Sequence, residues 1–483
     1  MNKNPLLMTD VYKLGHAAMY PEGTTEVYSY LQARTDKSLE QTVFFGLQYY
    51  LEEYLSKPIT QDHVDEFLDV YAQILGEPPQ DVVDRMEDLA NLGYWPLEIK
   101  AVPEGEVMPV QNVLMTIRNT HPDFAWCVGY VESLLLKVWN TITVASYSLK
   151  LRKLVTKFAR ETCDDMNHLP FQVHDFGYRG VSSEETAELS GAAHLLNFFG
   201  TDTVPAVRFL MKHYGAEFPI GLSVPATEHS VMCAYEEKHE FDAFRRLLQM
   251  YPTGIVSIVS DTYNLWRVLG EYAPLLKRMI IEREGKLVFR PDSGDPEKII
   301  CGDPQAVKGS SEWKGSLEML AETFGTTTNS KGYRVLNPAV GLIYGDGFYF
   351  DRYQQVLARM REQGWASSNL VTGIGGLLLQ AHTRDELGFA IKATRAIING
   401  DQRELIKDPV TDHKKKSHKG LLRLVKYEDG SYATLDRQSP TAEALSFLTV
   451  RFRDGKMIGD LHTLAEIRER ISQQTGLPRL VLA

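Results

Sequence analysis

Six short β-rich segments recur in the middle of the chain, and this repetition limits the fold more than any other feature. They are FQVHDFGYRG, GLSVPATEH, GIVSIVSDTY, KLVFRPDSGDP, VGLIYGDGF and NLVTGIGGLL, which begin at residues 171, 221, 254, 286, 340 and 369. Each segment ends in glycine or charged residues and precedes a helix-like stretch, which is the pattern of parallel βαβ units. The pattern predicts an α/β fold. It favours an irregular (β/α) barrel, and a doubly wound open sheet is the alternative.

The two chain ends follow other patterns. Near the start, helical periodicity alternates with short strands separated by Pro and Gly, as in PLEIKAVPEGEVMPVQNVLMTIRNT from residue 96. After about residue 393, the stretches LLRLVKYEDGSYATL and LTVRFRDGKMIG predict hairpins centred on Asp-Gly turns. We therefore predict a barrel domain over 166–392. A second, mixed α+β sheet domain would form from 1–165 and 393–483, because the late strands return to the N-terminal sheet.

Composition excludes several classes of function. The 483 residues carry a formal net charge of −11, which argues against a nucleic-acid partner or an anionic membrane. No stretch has the length of a membrane span or the features of a signal peptide. The four cysteines lie far apart and form no C-x-x-C pair. Structural zinc is therefore not expected, and we expect the protein to occupy a reducing compartment. We expect a cytoplasmic protein.

The charged residues and glycines that could form a binding site lie at the ends of the predicted strands. A barrel collects the carboxyl ends of its strands on one face, where active sites are built. Arg290 and Asp292 lie two apart and share a side, which suits a ribose phosphate, although an ordinary ion pair has the same spacing. The glycines of VTGIGG, including Gly376, predict a phosphate cradle or simply a tight turn. IYGDG, which contains Gly345, allows the same phosphate cradle, with Asp346 able to hold a sugar hydroxyl or Mg²⁺; a hairpin turn is the alternative there.

Each of the other candidate residues can be interpreted either as functional or as purely structural. His229 follows a strand and Asp261 ends another, so Asp261 could orient a reactive histidine, or His229 could be structural. Asp202 in GTDTV could bind a ligand or cap a helix. Tyr12 in TDVYKLGH could likewise belong to a capped first helix. The basic run DHKKKSHKG is either a solvated loop or a polyphosphate clamp. Together these residues point to a ribose-phosphate or diphosphate ligand and a planar aromatic partner.

A set of motifs in fixed order carries a resemblance to a known family. TDVYK, HDFGYRGVSS, GTDTV, SVPATEHS, RPDSGDP, GDG, GGLLLQ, HTRD and KDPVTD appear from about residue 6 onward. The chain resembles the nicotinamide phosphoribosyltransferases of the nicotinate/nicotinamide phosphoribosyltransferase family. The resemblance implies the irregular barrel of type II phosphoribosyltransferases beside a mixed sheet domain. It also implies a homodimer with shared active sites.

The resemblance further implies a reaction and a role for each matching residue. Nicotinamide and 5-phosphoribosyl 1-diphosphate would give nicotinamide mononucleotide and diphosphate, with ATP as a co-substrate. Mg²⁺ would bind mainly through the substrate phosphates. Phe176 would stack on one face of the pyridine ring and Tyr12 of the partner subunit on the other, while Asp202 would accept a hydrogen bond from the carboxamide. The phosphohistidine would be His229, oriented by Asp261.

The remaining implied positions are those that would bind phosphate or ribose. Arg290 and Asp292 would hold the phosphoribosyl group, and Arg179 would face diphosphate. The hydroxyls and phosphate would lie against Gly345, Asp346 and Gly376. The cations that would act across the dimer interface are Arg34, Arg384, Lys392, Lys407 and Lys415.

Rival functions differ in the charge that their sites need. A nicotinate phosphoribosyltransferase would bind an anionic base, which a carboxylate at position 202 would repel. A quinolinate phosphoribosyltransferase would need an arginine-rich pocket for a doubly anionic substrate. A non-catalytic nucleotide-binding or signalling protein would have no reason to keep every charged strand end. The chain departs from the family pattern at Leu222, Gly341 and Ala390, where relatives have tyrosine, arginine and serine.

Overall fold

The structure is a computed structural model that describes residues 4–35, 37–345, 347–407 and 417–482. Its strands, in chain order, are β1 (Thr24–Gln32), β2 (Gln41–Val43), β3 (Leu97–Ala101), β4 (Val107–Pro109), β5 (Val113–Asn119), β6 (Val173–Asp175), β7 (Thr253–Val259), β8 (Glu284–Arg290), β9 (Thr326–Thr328), β10 (Arg334–Leu336), β11 (Val340–Tyr344), β12 (Leu370–Ile374), β13 (Ala390–Ile398), β14 (Asp401–Glu404), β15 (Leu421–Lys426), β16 (Tyr432–Gln438), β17 (Thr449–Arg453) and β18 (Lys456–Met457).

The α-helices are α1 (His16–Met19), α2 (Leu47–Tyr50), α3 (Gln61–Leu75), α4 (Gln80–Leu92), α5 (Cys127–Tyr130), α6 (Glu132–Leu135), α7 (Trp139–Thr162), α8 (Glu184–His194), α9 (Val204–His213), α10 (His229–Cys233), α11 (Glu240–Met250), α12 (Leu265–Arg267), α13 (Ala273–Glu282), α14 (Pro296–Cys301), α15 (Ser311–Phe324), α16 (Phe350–Glu362), α17 (Gly376–Leu379), α18 (Pro440–Ala444) and α19 (Leu464–Thr475). None of these helices is both long and apolar enough to span a bilayer.

The chain forms two compact units, and each is discontinuous. Unit 1 comprises 1–146, 213–215 and 382–476, and unit 2 comprises 147–212, 216–381 and 477–483. Unit 1 contains a seven-stranded sheet in the order β14-β13-β1-β5-β3-β17-β18, in which neighbouring strands are antiparallel. The N-terminal strands β1, β5 and β3 form the centre of this sheet and C-terminal strands flank them on both sides, which confirms the predicted sheet domain built from both chain ends.

The predicted domain boundaries differ from the limits of these units. The boundary expected after 165 is replaced by a change of unit at 146/147, within α7. The boundary expected after 392 falls inside β13, whose whole length pairs with β1. A strand is held by hydrogen bonds to its neighbours along its length, so it belongs to one sheet as a whole.

Unit 2 contains the predicted parallel strands. Five of them form a sheet in the order β6-β12-β11-β8-β7, and every pair in it is parallel. Isolated parallel β-bridges connect β6 to β7, the two edge strands of this sheet. They join Asp175 to Thr201, Gly200 to Leu222, and Ala226 to Ser257 in β7. The sheet therefore closes through two irregular segments. This confirms the irregular (β/α) barrel and excludes the open sheet.

Side-chain alternation in β8 shows which residues face the barrel interior. Leu287 and Phe289 are almost fully buried, and the Phe289 ring lies 6.4 Å from that of Phe244 in α11 and 6.5 Å from that of Phe324 in α15. These residues face the surrounding helices. Because successive strand residues point to opposite faces, Val288 and Arg290 face the interior. Arg290 thus lies at the carboxyl end of the barrel, where active sites form.

Candidate active site

A cavity of about 740 Å³ opens at the carboxyl ends of the barrel strands in unit 2. Eight of the predicted site residues line it, and they come from six separate strand ends. They are Phe176, Arg179, Asp202, His229, Arg290, Asp292, Gly345 and Gly376. Residues spread over 200 positions of sequence therefore form one site, as the barrel prediction requires.

Phe176 follows β6 and presents a half-buried ring to the cavity. Its backbone N–H donates to the Ile374 carbonyl at 2.9 Å, which holds the ring beside β12. A side chain at Gly373 would place its Cβ only 2.3 Å from the Phe176 ring, so the ring occupies space that glycine leaves open. The Arg290 guanidinium lies 5.8 Å from the ring centroid, within cation–π range. The site thus offers an aromatic face next to a fixed cation.

Asp202 lies at the segment that bridges β6, and its carboxylate lines the cavity. His174 Nε2 lies 2.9 Å from Asp202 Oδ1, and the Ser223 hydroxyl donates to the same oxygen. Burial raises the pKa of Asp202, but the hydrogen bonds from His174 and Ser223 and the charge of Arg290 outweigh it. The net pKa is below the ordinary aspartate value. The side chain is 42% exposed and ionised, so it presents a negative hydrogen-bond acceptor beside the aromatic ring.

Arg290 and Asp292 share the cavity as predicted, and the Arg290 side chain is also held by the backbone. The Arg290 guanidinium donates to the Thr227 carbonyl at 2.7 Å. Burial lowers the pKa of Arg290, and the carboxylates of Asp292 and Asp202 act against this shift. Gly345 lies against Asp292, whose Oδ1 would be 3.2 Å from a Cβ at that position. A guanidinium beside a carboxylate and an open backbone suits phosphate and sugar hydroxyls.

His229 begins the short helix α10 and faces two carboxylates. Its Nε2 lies 3.5 Å from Asp292 Oδ2 and 4.0 Å from Asp261 Oδ1, and its Nδ1 lies 3.2 Å from the Thr262 hydroxyl. Asp261 is 5% exposed, and its Oδ2 accepts hydrogen bonds from the backbone N–H groups of residues 292 and 293 at 2.8 Å. Asp292 is thus nearer to His229 than the predicted partner Asp261 is. The Asp261 carboxylate instead holds the loop after β8 through its hydrogen bonds to the backbone.

The glycines at the barrel rim allow close backbone approach. A Cβ on Gly180 would lie 2.9 Å from the Cα of Gly376 and 3.0 Å from its N. Two backbone segments, one after β6 and one after β12, therefore lie directly against each other at the cavity. Gly375 and Gly376, at the junction of β12 and α17, both line the cavity.

The other predicted residues lie in unit 1 or outside the described residues. Tyr12 is 64% exposed, with its ring edge-on to His16 at 5.3 Å. Arg34 donates from Nε to the Gly388 carbonyl at 2.6 Å, and Arg384 pairs with Asp385 at 2.8 Å. Lys392 lies in β13 opposite Tyr30, and the backbone of Lys407 exchanges hydrogen bonds with Ser417. Asp346 and Lys415 lie outside the described residues.

Sequence reasoning missed His174, although it stands in the motif that carries Phe176. The two residues are two apart, so both face the barrel interior, and their ring centroids are 4.6 Å apart. Asp175 between them points the other way and is fully buried, where it accepts from the Gly177 N–H and the Thr201 hydroxyl. The period of two along β6 was the signal that separates His174, which contacts Asp202, from the structural Asp175.

Known proteins are similar to this chain over nearly its whole length. The model of the nicotinate phosphoribosyltransferase family matches residues 171–465, and that of the nicotinamide phosphoribosyltransferase N-terminal domain matches 4–83. A nicotinamide phosphoribosyltransferase of Acinetobacter baylyi is 42% identical and covers 98% of this chain and 97% of its own. One from Xanthomonas campestris is 38% identical and covers 96% and 97%.

Two solved structures share the fold at low sequence identity. A nicotinate-nucleotide pyrophosphorylase from Pyrococcus furiosus has a TM-score of 0.60 at 14% identity, covering 98% of this chain and 97% of its own. A human nicotinic acid phosphoribosyltransferase has a TM-score of 0.55 at 17% identity, covering 97% and 94%. The fold alone would not identify the family of the chain, because one fold can serve many functions. The sequence matches identify it. The chain is a phosphoribosyltransferase and belongs to the nicotinate/nicotinamide phosphoribosyltransferase family.

Proposed function

We propose that the chain transfers the 5-phosphoribosyl group of 5-phosphoribosyl 1-diphosphate to nicotinamide, giving nicotinamide mononucleotide and diphosphate in NAD salvage. The observation that carries the proposal is the ionised Asp202 carboxylate at the cavity that Phe176 and Arg290 also line. Relatives named nicotinamide phosphoribosyltransferase at 32–42% identity support the same substrate.

The base is selected by charge. Nicotinamide presents an NH₂ donor to Asp202, and nicotinate presents a second negative oxygen. Losing one hydrogen bond to a charged partner costs about 1.5–3 kcal/mol, and bringing two carboxylates together in a partly dry site costs more. The low pKa of Asp202 keeps it charged at neutral pH, so the preference for the amide arises from the charge of this carboxylate.

The chemistry needs electrostatic stabilisation more than proton transfer. Cleavage of the bond between ribose C1 and the diphosphate oxygen gives the ribose oxocarbenium character, and the leaving group gains negative charge. Arg290 and Arg179 line the cavity and would stabilise that charge. The attacking pyridine nitrogen is neutral and already nucleophilic, so stacking on Phe176 has only to position it.

Mg²⁺ would be bound chiefly by the diphosphate of the substrate. Among the described residues, no three His, Cys, Asp or Glu side chains are grouped as metal ligands. The Asp292 carboxylate lines the cavity, and the buried Asp261 Oδ1 accepts no hydrogen bond within the described part of the chain. These two carboxylates fit a divalent cation that arrives with phosphate. When bound, the cation would neutralise charge on the leaving diphosphate.

His229 is the residue that would couple the reaction to ATP. One imidazole nitrogen faces carboxylates at 3.5 and 4.0 Å, an arrangement in which a carboxylate can hold the N–H and leave a lone pair on the other nitrogen. That nitrogen would take the γ-phosphoryl group of ATP with release of ADP. The side chain is 46% exposed and lines the cavity, so ATP can reach it.

The ATP-coupling proposal is tested with His229→Ala. We expect loss of nicotinamide-stimulated ATP hydrolysis and of acid-labile ³²P on the protein, with slower ATP-independent mononucleotide synthesis retained. His239→Ala, at an exposed histidine in the same unit, is the control and should behave like wild type. Undiminished ATPase activity in His229→Ala would contradict the phosphohistidine.

A homodimer is the proposed assembly, with sites completed by both copies. Unit 2 exposes large apolar side chains that a second copy would cover, among them Val204, Met211 and Phe218. Val204 and Met211 are seven apart in α9 and so share one helix face. Unit 1 exposes Tyr12 and Met19. Exposed apolar groups of this size are typical of interaction surfaces.

The substrate is tested with Asp202→Asn, which keeps the shape of the side chain and removes its charge. We expect wild type to use nicotinamide far better than nicotinate. In the variant, kcat/KM for nicotinamide should fall roughly ten- to hundredfold, and that for nicotinate should rise. Asp242→Asn, at a half-buried aspartate in α11, is the control. An unchanged ratio of the two kcat/KM values in Asp202→Asn would place selectivity elsewhere.

A further inference from the structure

His174 touches both residues that face the base. Its Nε2 lies 2.9 Å from Asp202 Oδ1, and its ring lies 4.6 Å from the Phe176 ring at an angle of 41°. Because Asp202 is ionised and can only accept, the hydrogen in this bond belongs to His174. The imidazole therefore fixes the carboxylate from one side and supports the aromatic ring from the other.

The hydrogen bonds to Asp202 are unevenly divided between its two oxygens. His174 and Ser223 both donate to Oδ1. Within the described residues no hydrogen bond reaches Oδ2, which is therefore the oxygen that remains for a ligand in the cavity. With both donors on Oδ1, rotation of the carboxylate would break two hydrogen bonds, one of them charge-assisted from a buried ring.

His174 is the rigid member of this pair of donors. It is 9% exposed, whereas Ser223 is exposed. The backbone of Gly200 packs against the imidazole so closely that a Cβ there would lie 2.8 Å from His174 Nδ1 and 3.2 Å from its Cα. The ring is thus confined between Gly200 and Phe176, and its direction is set by packing.

We propose that His174 is a positioning residue that determines base specificity, by holding Asp202 so that Oδ2 accepts from the carboxamide NH₂. The inference rests on the proposed use of nicotinamide and deepens it. Without the imidazole donor, the carboxylate can turn and share its hydrogen bonds differently. The amide then loses a well-placed acceptor, while nicotinate, which gains nothing from that acceptor, is little affected.

The test compares three enzymes with both bases. His174→Phe keeps a planar ring beside Phe176 and removes the donor, and His174→Gln keeps an amide donor near the position of Nε2. We expect kcat/KM for nicotinamide to fall about ten- to hundredfold in His174→Phe, mainly through KM, and to stay within about threefold of wild type in His174→Gln. The KM for 5-phosphoribosyl 1-diphosphate should change less than threefold. His239→Gln is the surface control.

A double-mutant cycle separates positioning from a merely structural role. In the Asp202→Asn background, His174→Phe should cause no further loss with nicotinamide, because the residue acts through the carboxylate. Equal losses with both bases, or the same loss in both backgrounds, would overturn the inference. If His174→Phe does not fold, His174→Asn, whose shorter amide cannot reach Oδ1, takes its place in the cycle. A wild type that does not prefer nicotinamide would instead overturn the proposed function, so the two failures are distinct.

Discussion

Gly373 is the residue whose substitution tests the aromatic subsite most directly. It lies in β12 opposite His174 of β6, and an alanine Cβ there would be 2.3 Å from Cδ2 and 2.4 Å from Cε2 of Phe176. Carbon atoms pack at about 3.5–4.0 Å, so the overlap exceeds about 1 Å. The Cα of Gly345, 3.2 Å away, prevents the new methyl group from moving aside. The Phe176 ring must therefore move.

The size of the effect follows from what the ring would do. Stacking of aromatic rings contributes about 0.5–1.5 kcal/mol, so a displaced ring should raise the KM for nicotinamide by roughly two- to tenfold. A misplacement of about 1 Å can also lower the rate of the chemical step up to about a hundredfold. Overpacking costs about 1–3 kcal/mol of stability, which lowers Tm by about 2–4 °C for each kcal/mol.

The assay is steady-state kinetics with each substrate varied, together with thermal unfolding. Gly341→Ala is the matched control, because it adds the same methyl group to the neighbouring strand, where the nearest atom is the flexible Lys286 side chain at 3.2 Å. Gly373→Ala combined with Phe176→Leu should recover Tm and leave activity low, because space returns without a ring. Normal KM and kcat in Gly373→Ala would refute the assignment of Phe176 to the base.

Three further predictions concern the dimer, the phosphate site and a buried carboxyl group. Mixing inactive Tyr12→Ala and Phe176→Ala proteins should restore up to about a quarter of wild-type activity per dimer if sites are shared; no recovery after proven subunit exchange would contradict shared sites. Arg290→Lys should raise the KM for 5-phosphoribosyl 1-diphosphate at least tenfold in initial-rate assays, because an ammonium cannot replace a guanidinium fork held by the Thr227 carbonyl; an unchanged KM would refute this. Glu240 is fully buried, and burial raises its pKa to about 7 although the Arg267 guanidinium, 3.7 Å from Oε2, acts in the opposite direction. The folded state therefore keeps a proton that the unfolded state loses, so stability falls as pH rises from about 4.5 to about 7. Glu240→Gln should raise Tm by several degrees at pH 8 and change it little at pH 4, and the same shift at both pH values would contradict this.

Sequence patterns alone predicted the barrel, because strand and helix periodicities are local properties of the chain. The six β-rich segments correspond to β6, β7, β8, β11, β12 and the bridge region of 222–226. The Asp-Gly turns were equally local: Asp454 and Gly455 take φ of 50° and 74° between β17 and β18, which the sequence DG favours. A strand end that carries polar residues is also visible in one sequence, so eight of the residues that line the cavity were named from the sequence.

Only the tertiary structure decided which of these residues are in contact and which groups each side chain binds. Asp261 was expected to orient His229, yet its Oδ2 is engaged by the loop after β8, and Asp292 is the nearer carboxylate. His174 was overlooked because its importance depends on Asp202, 28 positions away. Closure of the barrel through the bridges at 200–201 was equally hidden, since that segment lacks strand periodicity. Distances between side chains on different strands depend on register and closure, and these are properties of the whole sheet that no local stretch of sequence contains.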